Sequence, residues 1–441
     1  MASSAERDLP LVRLASQISD GGLLVVGRPF TQKMLDELLM LTTQHPRHGG
    51  DGEAVLGAGA LRAKCAVKEQ LDAAIDLAKR SMKLKSIDAF DACAIGESLR
   101  VGCIQLALTS GLGPMRTSVV ALPLPPRGGS AGGAAHSFTN GGVVDGGMEH
   151  AGLIADLTAL KQNVVLMCNC GTNANGAVFG LPTCVLEPSV LSAKGRSCRI
   201  DVWLFGEVPK AGASLSQPSS PSASASNGFP TTAVETAADV PQQHDAGLVV
   251  QFGFLAHRAL AKARTWGSPY PKLRVIQLLS PSADPSSLNQ ADPEVAAGVR
   301  FAPFTPPGEA FEGGPSNGVQ VASAAAQASL KAYLKELRVN AEPIALEAHA
   351  SGSALLREWS TLKRGAPGEL RDMVRSAVGS VSADAALVVM PLPTPEACVA
   401  AELTEASPAA GYVDALHALT AGLPPTLLCR SGGEPVVTTE I

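Results

Sequence analysis

The chain has 441 residues, a formal net charge of −5 and a hydrophobic fraction of 46%. This length predicts about two to three domains of roughly 100–200 residues each, with aliphatic cores because aromatic residues make up only 4% of the chain. The acidic balance gives no electrostatic case for binding nucleic acid, which usually needs a basic patch.

Short apolar runs alternate with helical patterns along the chain. The runs are continuous stretches of Val, Ile and Leu, which is typical of strands that helices cover on both faces. Candidate strands are 22–27, 92–96, 118–124, 163–169, 199–206, 273–279, 342–348, 386–392, 426–431 and 435–439, and amphipathic helices are predicted at 66–83 and 327–339. Strands that alternate with helices of this length predict a mostly parallel, doubly wound α/β fold.

Three segments of biased composition interrupt this pattern. Segments 207–247 and 280–318 are rich in Ser, Pro and Ala, and we expect both to be disordered because they bury too little apolar surface to offset the entropy cost of ordering. Segment 125–147 is a glycine-rich loop. It lacks the Gly-Lys-Ser/Thr triplet of a phosphate-binding Walker loop, so its glycines do not indicate a nucleotide site.

An internal repeat links the two halves of the chain. "ALPLP" (121–125) and "MPLP" (390–393) each end a strand and are followed by a loop, a similar helix and another strand. The two helices share Ala, Gly and Leu at matching positions, from Ala151 in one and from Ala410 in the other. The shared order predicts two related lobes, 9–185 and 196–441.

Candidate catalytic residues are scattered rather than clustered. Ser98 lies in "GESLR", but a nucleophile elbow needs glycine two residues after the serine, and Arg100 stands there. We therefore interpret Ser98 as a helix N-cap. Two histidines have acidic neighbours: His150 with Glu149 and Asp145, and His244 with Asp245. Both lie in predicted loops that contain Gly or Pro. Because a catalytic base needs a fixed geometry, we interpret these residues as solvated. His257 and His417, on predicted helices, are expected at surfaces or interfaces.

Asp201 enters an apolar strand beside Trp203. A buried carboxylate needs a partner, so Asp201 is predicted to cap a turn or to pair with Arg199, and a structural role is favoured over a reactive one. The nine cysteines are scattered and odd in number, which favours buried thiols in a reducing compartment. The pair Cys168 and Cys170 lacks the two-residue spacer and the second Cys/His pair of a zinc site.

No window of the sequence approaches the roughly 20 apolar residues that span a bilayer, and the first 30 residues lack the apolar core of a signal peptide. We therefore expect a chain that is soluble by itself and lies on the cytosolic side. No metal site and no catalytic centre are expected.

Several segments resemble, in order over nearly the whole chain, the cytosolic C-terminal domain of eukaryotic cation–chloride cotransporters. The opening stretch 9–30, the stretch 92–125 and the helix–strand stretch 330–347 are similar to the family's corresponding segments. "IDVWLFG" (200–206) resembles its "iDvWw" strand, although Leu204 replaces the second Trp. The final stretch is the most specific, through Tyr412, Leu416, Leu419, Thr420, Leu427, Leu428, Arg430, Gly432 and Gly433, and the double proline Pro424–Pro425 is similar to plant and algal members.

The resemblance implies a regulatory and dimerising domain at the cytosolic face of a membrane, belonging to a symporter of K⁺ or Na⁺ with Cl⁻. The implied partners are the carrier's transmembrane domain, which this sequence does not contain, a second copy of the chain, and kinases and phosphatases acting on the disordered segments. An apolar strand that usually opens the family domain is replaced here by "MASSAERD". The resemblance implies no enzymatic activity and no obligatory cofactor.

The alternative is a stand-alone nucleotide-binding α/β protein, because the family's lobes also resemble universal stress proteins, and some members hold ATP. A phosphate would then approach Gly111 and Gly113 in "GLGPMRTSVV". An isolated Gly-x-Gly is a weak signal, and a glycine turn between helix and strand is favoured. A hydrolase-like enzyme is a third class, for which the sequence offers no nucleophile with a base in reach.

Overall fold

The structure is a computed structural model of the whole chain. It describes residues 24–31, 89–110, 117–124, 146–169, 171–172, 178–179, 199–208, 240–262, 271–279, 319–348, 368–393 and 408–432, together with positions 12, 15, 16 and 18. The predicted helix 66–83, the predicted strand 435–439, the segment 280–318 and the glycines at 111 and 113 lie outside these residues.

The described residues form helices and strands that alternate along the chain. The strands are β1 (Val25–Thr31), β2 (Phe90–Gly96), β3 (Val119–Pro123), β4 (Asn163–Cys168), β5 (Gly171–Thr172), β6 (Val178–Phe179), β7 (Arg199–Phe205), β8 (Lys272–Leu279), β9 (Val319–Val321), β10 (Glu342–Ala348), β11 (Leu387–Pro391) and β12 (Thr426–Arg430). The helices are α1 (Leu99–Thr109), α2 (Gly146–Ala159), α3 (Val240–Lys262), α4 (Ala324–Glu336), α5 (Gly368–Ser382) and α6 (Pro408–Thr420).

Eight strands form one sheet in the order β3-β4-β12-β11-β7-β8-β10-β9. The five strands from β12 to β10 are parallel to each other, and β3 is parallel to β4. Two pairs are antiparallel, β4 with β12 inside the sheet and β10 with β9 at its edge. Separately, β1 and β2 form a parallel pair, and β5 and β6 a short antiparallel one. The prediction of a mostly parallel α/β fold is confirmed.

The large sheet is covered on both faces, as its continuous apolar strands predicted. One core joins residues of α2, α5 and α6 to one face, with Trp203 and Leu428 among them. The other core joins α3 and α4 to the opposite face, with Val202 and Leu427 among them. Every residue of β4 and of β12 is buried, as expected for strands that helices cover on both faces.

The antiparallel pair β4–β12, called the junction below, joins two similar β–α–β units. The first unit is β3, α2 and β4, and the second is β11, α6 and β12. In each unit the residue after the first strand donates its N–H to the second strand: Leu124 N to Met167 O at 3.0 Å, and Leu392 N to Cys429 O at 2.8 Å.

The residue pairs across the junction show the same match between the two units, in which Met167 corresponds to Cys429. Met167 lies opposite Leu427, and the equivalent residue Cys429 lies opposite Val165. Leu166 lies opposite Leu428, so an approximate twofold axis passes through this pair. Helices α2 and α6 pack against each other on one side of the sheet, as an approximate twofold relation between the units requires. The internal repeat seen in the sequence therefore corresponds to a repeat in the structure.

Several predicted boundaries need correction. Helix α3 begins at Val240, so 240–247 is helical and not part of a disordered segment. Helix α2 begins at Gly146, inside the segment expected to be a glycine-rich loop. Strand β1 lies at Val25–Thr31 rather than at 22–27. None of the described helices is long and apolar enough to cross a membrane.

Candidate functional site

A cluster of polar residues in the described core lies where β12 ends. We call it the chain-end clamp and define it as Asn163, Asp245, Arg430, Ser431 and Gly432. Ser431 donates its backbone N–H to Asp245 Oδ1 at 2.6 Å, and Arg430 Nη1 lies 3.8 Å from Asp245 Oδ2. Asp245 belongs to α3, so these contacts tie the start of that helix to the end of β12.

The same stretch of backbone is also held from β4. Gly432 donates its N–H to Asn163 Oδ1 at 3.0 Å, and Asn163 Nδ2 donates to Ser118 O at 3.0 Å. A side chain at position 432 would overlap the Lys161 carbonyl carbon and the backbone of Gln162. Glycine is therefore required at 432 by the closeness of two backbone segments.

Asp245 was expected in a solvated loop, and this prediction is wrong because the residue is buried on α3. Burial raises the pKa of its carboxyl to about 6, against the opposing effects of the Arg430 guanidinium and the Ser431 N–H. Desolvation disfavours the charged form of an acid, so the pair with Arg430 only partly offsets that cost. A helical pattern in Leu248, Val249, Phe252 and Ala256 was the available sequence signal that α3 begins this early.

A second asparagine holds the other end of β4. Asn169 has a φ of 58°, a conformation that Asn tolerates better than most residues. Its Nδ2 donates to three carbonyl oxygens in the turn that leads from α6 into β12: those of Thr420, Leu423 at 3.0 Å and Pro424 at 3.4 Å. Asparagine side chains thus secure the junction at both of its ends.

Asp201 is fully buried in β7 and is the centre of an ionic network. Arg274 on β8 forms two hydrogen bonds to its carboxylate, Nε to Oδ1 at 2.8 Å and Nη2 to Oδ2 at 2.6 Å. Arg199 Nε lies 3.2 Å from the same Oδ1, which confirms the predicted pairing. Arg199 also pairs with Asp384, which is largely exposed.

This network also holds the end of α5. Arg199 and Arg274 both donate to Val381 O, at 3.2 and 3.1 Å, and cations at a helix C-terminus stabilise its unpaired carbonyl groups. Trp203 Nε1 donates to Ser382 Oγ at 3.0 Å. The conspicuous polar residues of "RIDVW" therefore anchor a helix to the sheet, in agreement with the structural role predicted for Asp201.

An ion pair joins helices α1 and α2. Arg100 donates to both carboxylate oxygens of Asp156, at 2.6 and 2.9 Å, and its guanidinium lies against Gly152 so closely that a side chain there would overlap it. Ser98 accepts the N–H of Val101 at 3.3 Å as the N-cap of α1, as predicted. Burial, with a smaller effect of nearby Glu149, raises the pKa of the Cys103 thiol to about 11.

The four histidines that the structure describes lie on helices: His150 on α2, His244 and His257 on α3, and His417 on α6. His150 and Glu149 belong to α2, so their placement in a loop was wrong. Burial, with a smaller effect of His417 on α6, lowers the pKa of His150 to about 4, and its Nε2 atom is buried without a hydrogen-bond partner. His257 on α3 contacts Pro271 O through Nε2 at 3.0 Å. Helical positions for His257 and His417 agree with the prediction.

The clusters around Asp201, Arg100 and Asp245 hold secondary-structure elements together through ion pairs and hydrogen bonds. Within the part of the chain that the structure describes, no group of three His, Cys, Asp or Glu side chains is arranged to hold a metal ion. Gly111 and Gly113, the weak candidates for a nucleotide contact, are not among the residues described, and neither are Asp145 and Cys170.

A comparison of the chain with models of known protein families found no match, and neither did a comparison with curated protein sequences.

Proposed function

We propose that this chain is the cytosolic regulatory and dimerisation domain of an electroneutral cation–chloride symporter, acting at the membrane through a transport domain outside this sequence. The observation that carries the proposal is the resemblance of the terminal stretch. Those residues of the stretch that the structure describes have defined structural roles in the second β–α–β unit or in the chain-end clamp. Residues that build a shared junction are the ones a related fold would retain.

Individual contacts support this. Tyr412 donates its hydroxyl to Pro393 O at 2.8 Å, and Thr420 donates its hydroxyl to Leu416 O at 2.9 Å. Leu416, Leu419, Leu427 and Leu428 are fully buried. Arg430 and Gly432 belong to the chain-end clamp. In "IDVWLFG", Asp201 and Trp203 hold α5 to the sheet.

The arrangement of the two β–α–β units also supports the proposal. We infer that they belong to two related lobes, each resembling a universal stress protein and joined through β4 and β12. A regulatory domain of this kind acts without a reactive centre, because a conformational change in one lobe can be transmitted to the other across the junction. The Ser- and Pro-rich part of 207–247 precedes α3 in the chain, and phosphate added there would carry nearly two negative charges.

The primary test is the transcript that encodes this chain. Sequencing of its 5′ end should find an open frame upstream of Met1 that encodes twelve apolar spans. The complete protein, expressed in cells, should then support Rb⁺ uptake that disappears when chloride is replaced by gluconate. A transcript without apolar spans, or a complete protein without chloride-dependent uptake, would refute the symporter assignment.

Dimerisation and modification have separate tests. Light scattering of the purified chain should give twice the mass of one copy at high concentration, and a persistent monomer would argue against a dimer of this domain. A phosphoproteomic map of the complete protein should contain sites within 207–247, and a map without them would remove that route of regulation.

A nucleotide-binding protein remains the second candidate because of one feature of the sheet. Strands β7 and β11 are neighbours, yet the chain leaves them in opposite directions, through α3 to β8 and through α6 to β12. Open α/β sheets bind ligands outside the carboxyl ends of strands at such a switch point, which here follows Phe205 and Pro391. Calorimetric titration with ATP decides this: saturable binding favours this candidate, and the absence of heat removes it.

A further inference from the structure

The chain-end clamp connects elements that belong to different parts of the fold. Asp245 lies on α3, which packs on β7, β8, β11 and β12. Asn163 begins β4, and its side chain reaches back to Ser118, just before β3. The backbone of Ser431 and Gly432 lies between them and is bonded to both.

The contacts therefore form one continuous series. It runs from the Asp245 carboxylate to the Ser431 N–H at 2.6 Å, along one peptide to the Gly432 N–H, to Asn163 Oδ1 at 3.0 Å, and from Asn163 Nδ2 to Ser118 O at 3.0 Å. Asp245 and Asn163 are buried and the backbone stretch 431–432 is half-buried, whereas Ser118 is exposed. The two bonds to the 431–432 backbone are therefore the ones protected from competition with water.

We propose that the chain-end clamp couples α3 to the first β–α–β unit, so that loss of the contact at Asp245 weakens the contact at Asn163, and the reverse. The coupling acts through the short backbone stretch 431–432, which is bonded to Asp245 on one side and to Asn163 on the other. A backbone held at both sides has one arrangement that satisfies both partners, and release of one side frees it to leave the other.

The chain offers a matched control in Asn169. It is also an asparagine at an end of β4, and its side chain also bonds to backbone of the second unit, but at the opposite end of the junction. Its partners are carbonyl groups of the turn between α6 and β12, which are not part of the series that reaches Asp245. An effect of general destabilisation would appear at Asn169 as readily as at Asn163.

The test is a pair of double-mutant cycles on the full chain, measured as equilibrium constants of unfolding in urea. In the first, Asp245→Ala is combined with Asn163→Ala, and in the second, with Asn169→Ala. We expect the equilibrium constant of unfolding of the first double variant to be at least fivefold smaller than the product of the two single effects predicts. In the second cycle, the unfolding constant of the double variant should equal the product of the two single effects to within a factor of two.

Two further measurements keep the test decisive. If Asp245→Ala does not fold, Asp245→Leu replaces it in both cycles, since a side chain of similar size fills the site and still removes the acceptor for the Ser431 N–H. Hydrogen exchange of α3 should also rise at least fivefold in Asn163→Ala and change less than twofold in Asn169→Ala. Multiplicative behaviour in both cycles, or equal non-additivity in both, would overturn the proposed coupling.

Discussion

Replacement of Asp201 by Asn should destabilise the protein strongly, although the change in size is negligible. The carboxylate is 0% exposed and faces two guanidinium groups whose side chains are only 14% and 15% exposed. Asparagine keeps one acceptor oxygen but turns an NH₂ group toward an arginine, so a charge-assisted hydrogen bond is lost and two donors oppose each other. The remaining positive charges then stay buried without a buried counter-ion.

Breaking a buried ion pair by removal of one partner costs about 3–5 kcal/mol, a large share of the roughly 5–15 kcal/mol that stabilises a typical domain. The matched control is Asp384→Asn, because Asp384 pairs with the same Arg199 but has a side chain 55% exposed. Exposed pairs contribute about 0–1 kcal/mol. Urea unfolding followed by circular dichroism compares the two variants through their midpoints. A loss below about 1 kcal/mol for Asp201→Asn, or equal losses for both variants, would refute the electrostatic argument.

Three further predictions concern other parts of the fold. Gly432→Ala should lower the free energy of unfolding in urea by about 2 kcal/mol or more, since the backbone must move to admit the methyl group. The control is Gly379→Ala, whose added methyl group would lie at an ordinary 3.6 Å from the Leu423 side chain. This variant should lose less than about 1 kcal/mol. The pKa of His150 is lowered to about 4, so its contribution to stability is complete above its ordinary pKa of 6.5 and is lost as the pH falls toward 4. The melting temperature of His150→Leu should not show this loss. If the melting temperatures of the variant and the unchanged protein fall in parallel with pH, the prediction is wrong. The pKa of Asp245 is raised to about 6, so its contribution is complete below pH 3.8 and is lost as the pH rises through 6. Relative to Asp245→Asn, the unchanged protein should therefore lose roughly 2 kcal/mol of stability between pH 4 and pH 7, and a constant difference would show that the carboxyl titrates normally.

The strands could be predicted from the sequence because their signal is local. Runs of Val, Ile and Leu located β4, β7, β8, β10, β11 and β12 to within about a residue at each end. The repeat of "PLP" also had a local basis: in both β–α–β units the residue after the first proline donates its N–H to the neighbouring strand. A feature that depends on a few consecutive residues can be recognised without knowing which parts of the chain meet.

The chain-end clamp could not be predicted, because its partners are far apart in sequence. Asp245 follows a Ser- and Pro-rich segment and has Gln and His before it, so composition favoured a loop. Its burial depends on the end of β12, 186 residues later. The main partner of Asp201 was missed for the same reason: Arg274 becomes its neighbour only when β7 and β8 pair in one particular register. Pairing with Arg199 was predictable since residues two apart lie on the same face of a strand.

The position of β12 in the sheet has a physical explanation in its antiparallel pairing with β4. A parallel strand can be added at the edge of a sheet, but β12 lies between β11 and β4, with both of its edges paired and both faces covered. Its removal would leave two strand edges unpaired inside the protein and would separate the two β–α–β units. Residues 430–432, which carry no reactive group in a free cleft, then fix α3 and β4 to this central strand. Strand β12 is therefore required for the two β–α–β units to share one sheet.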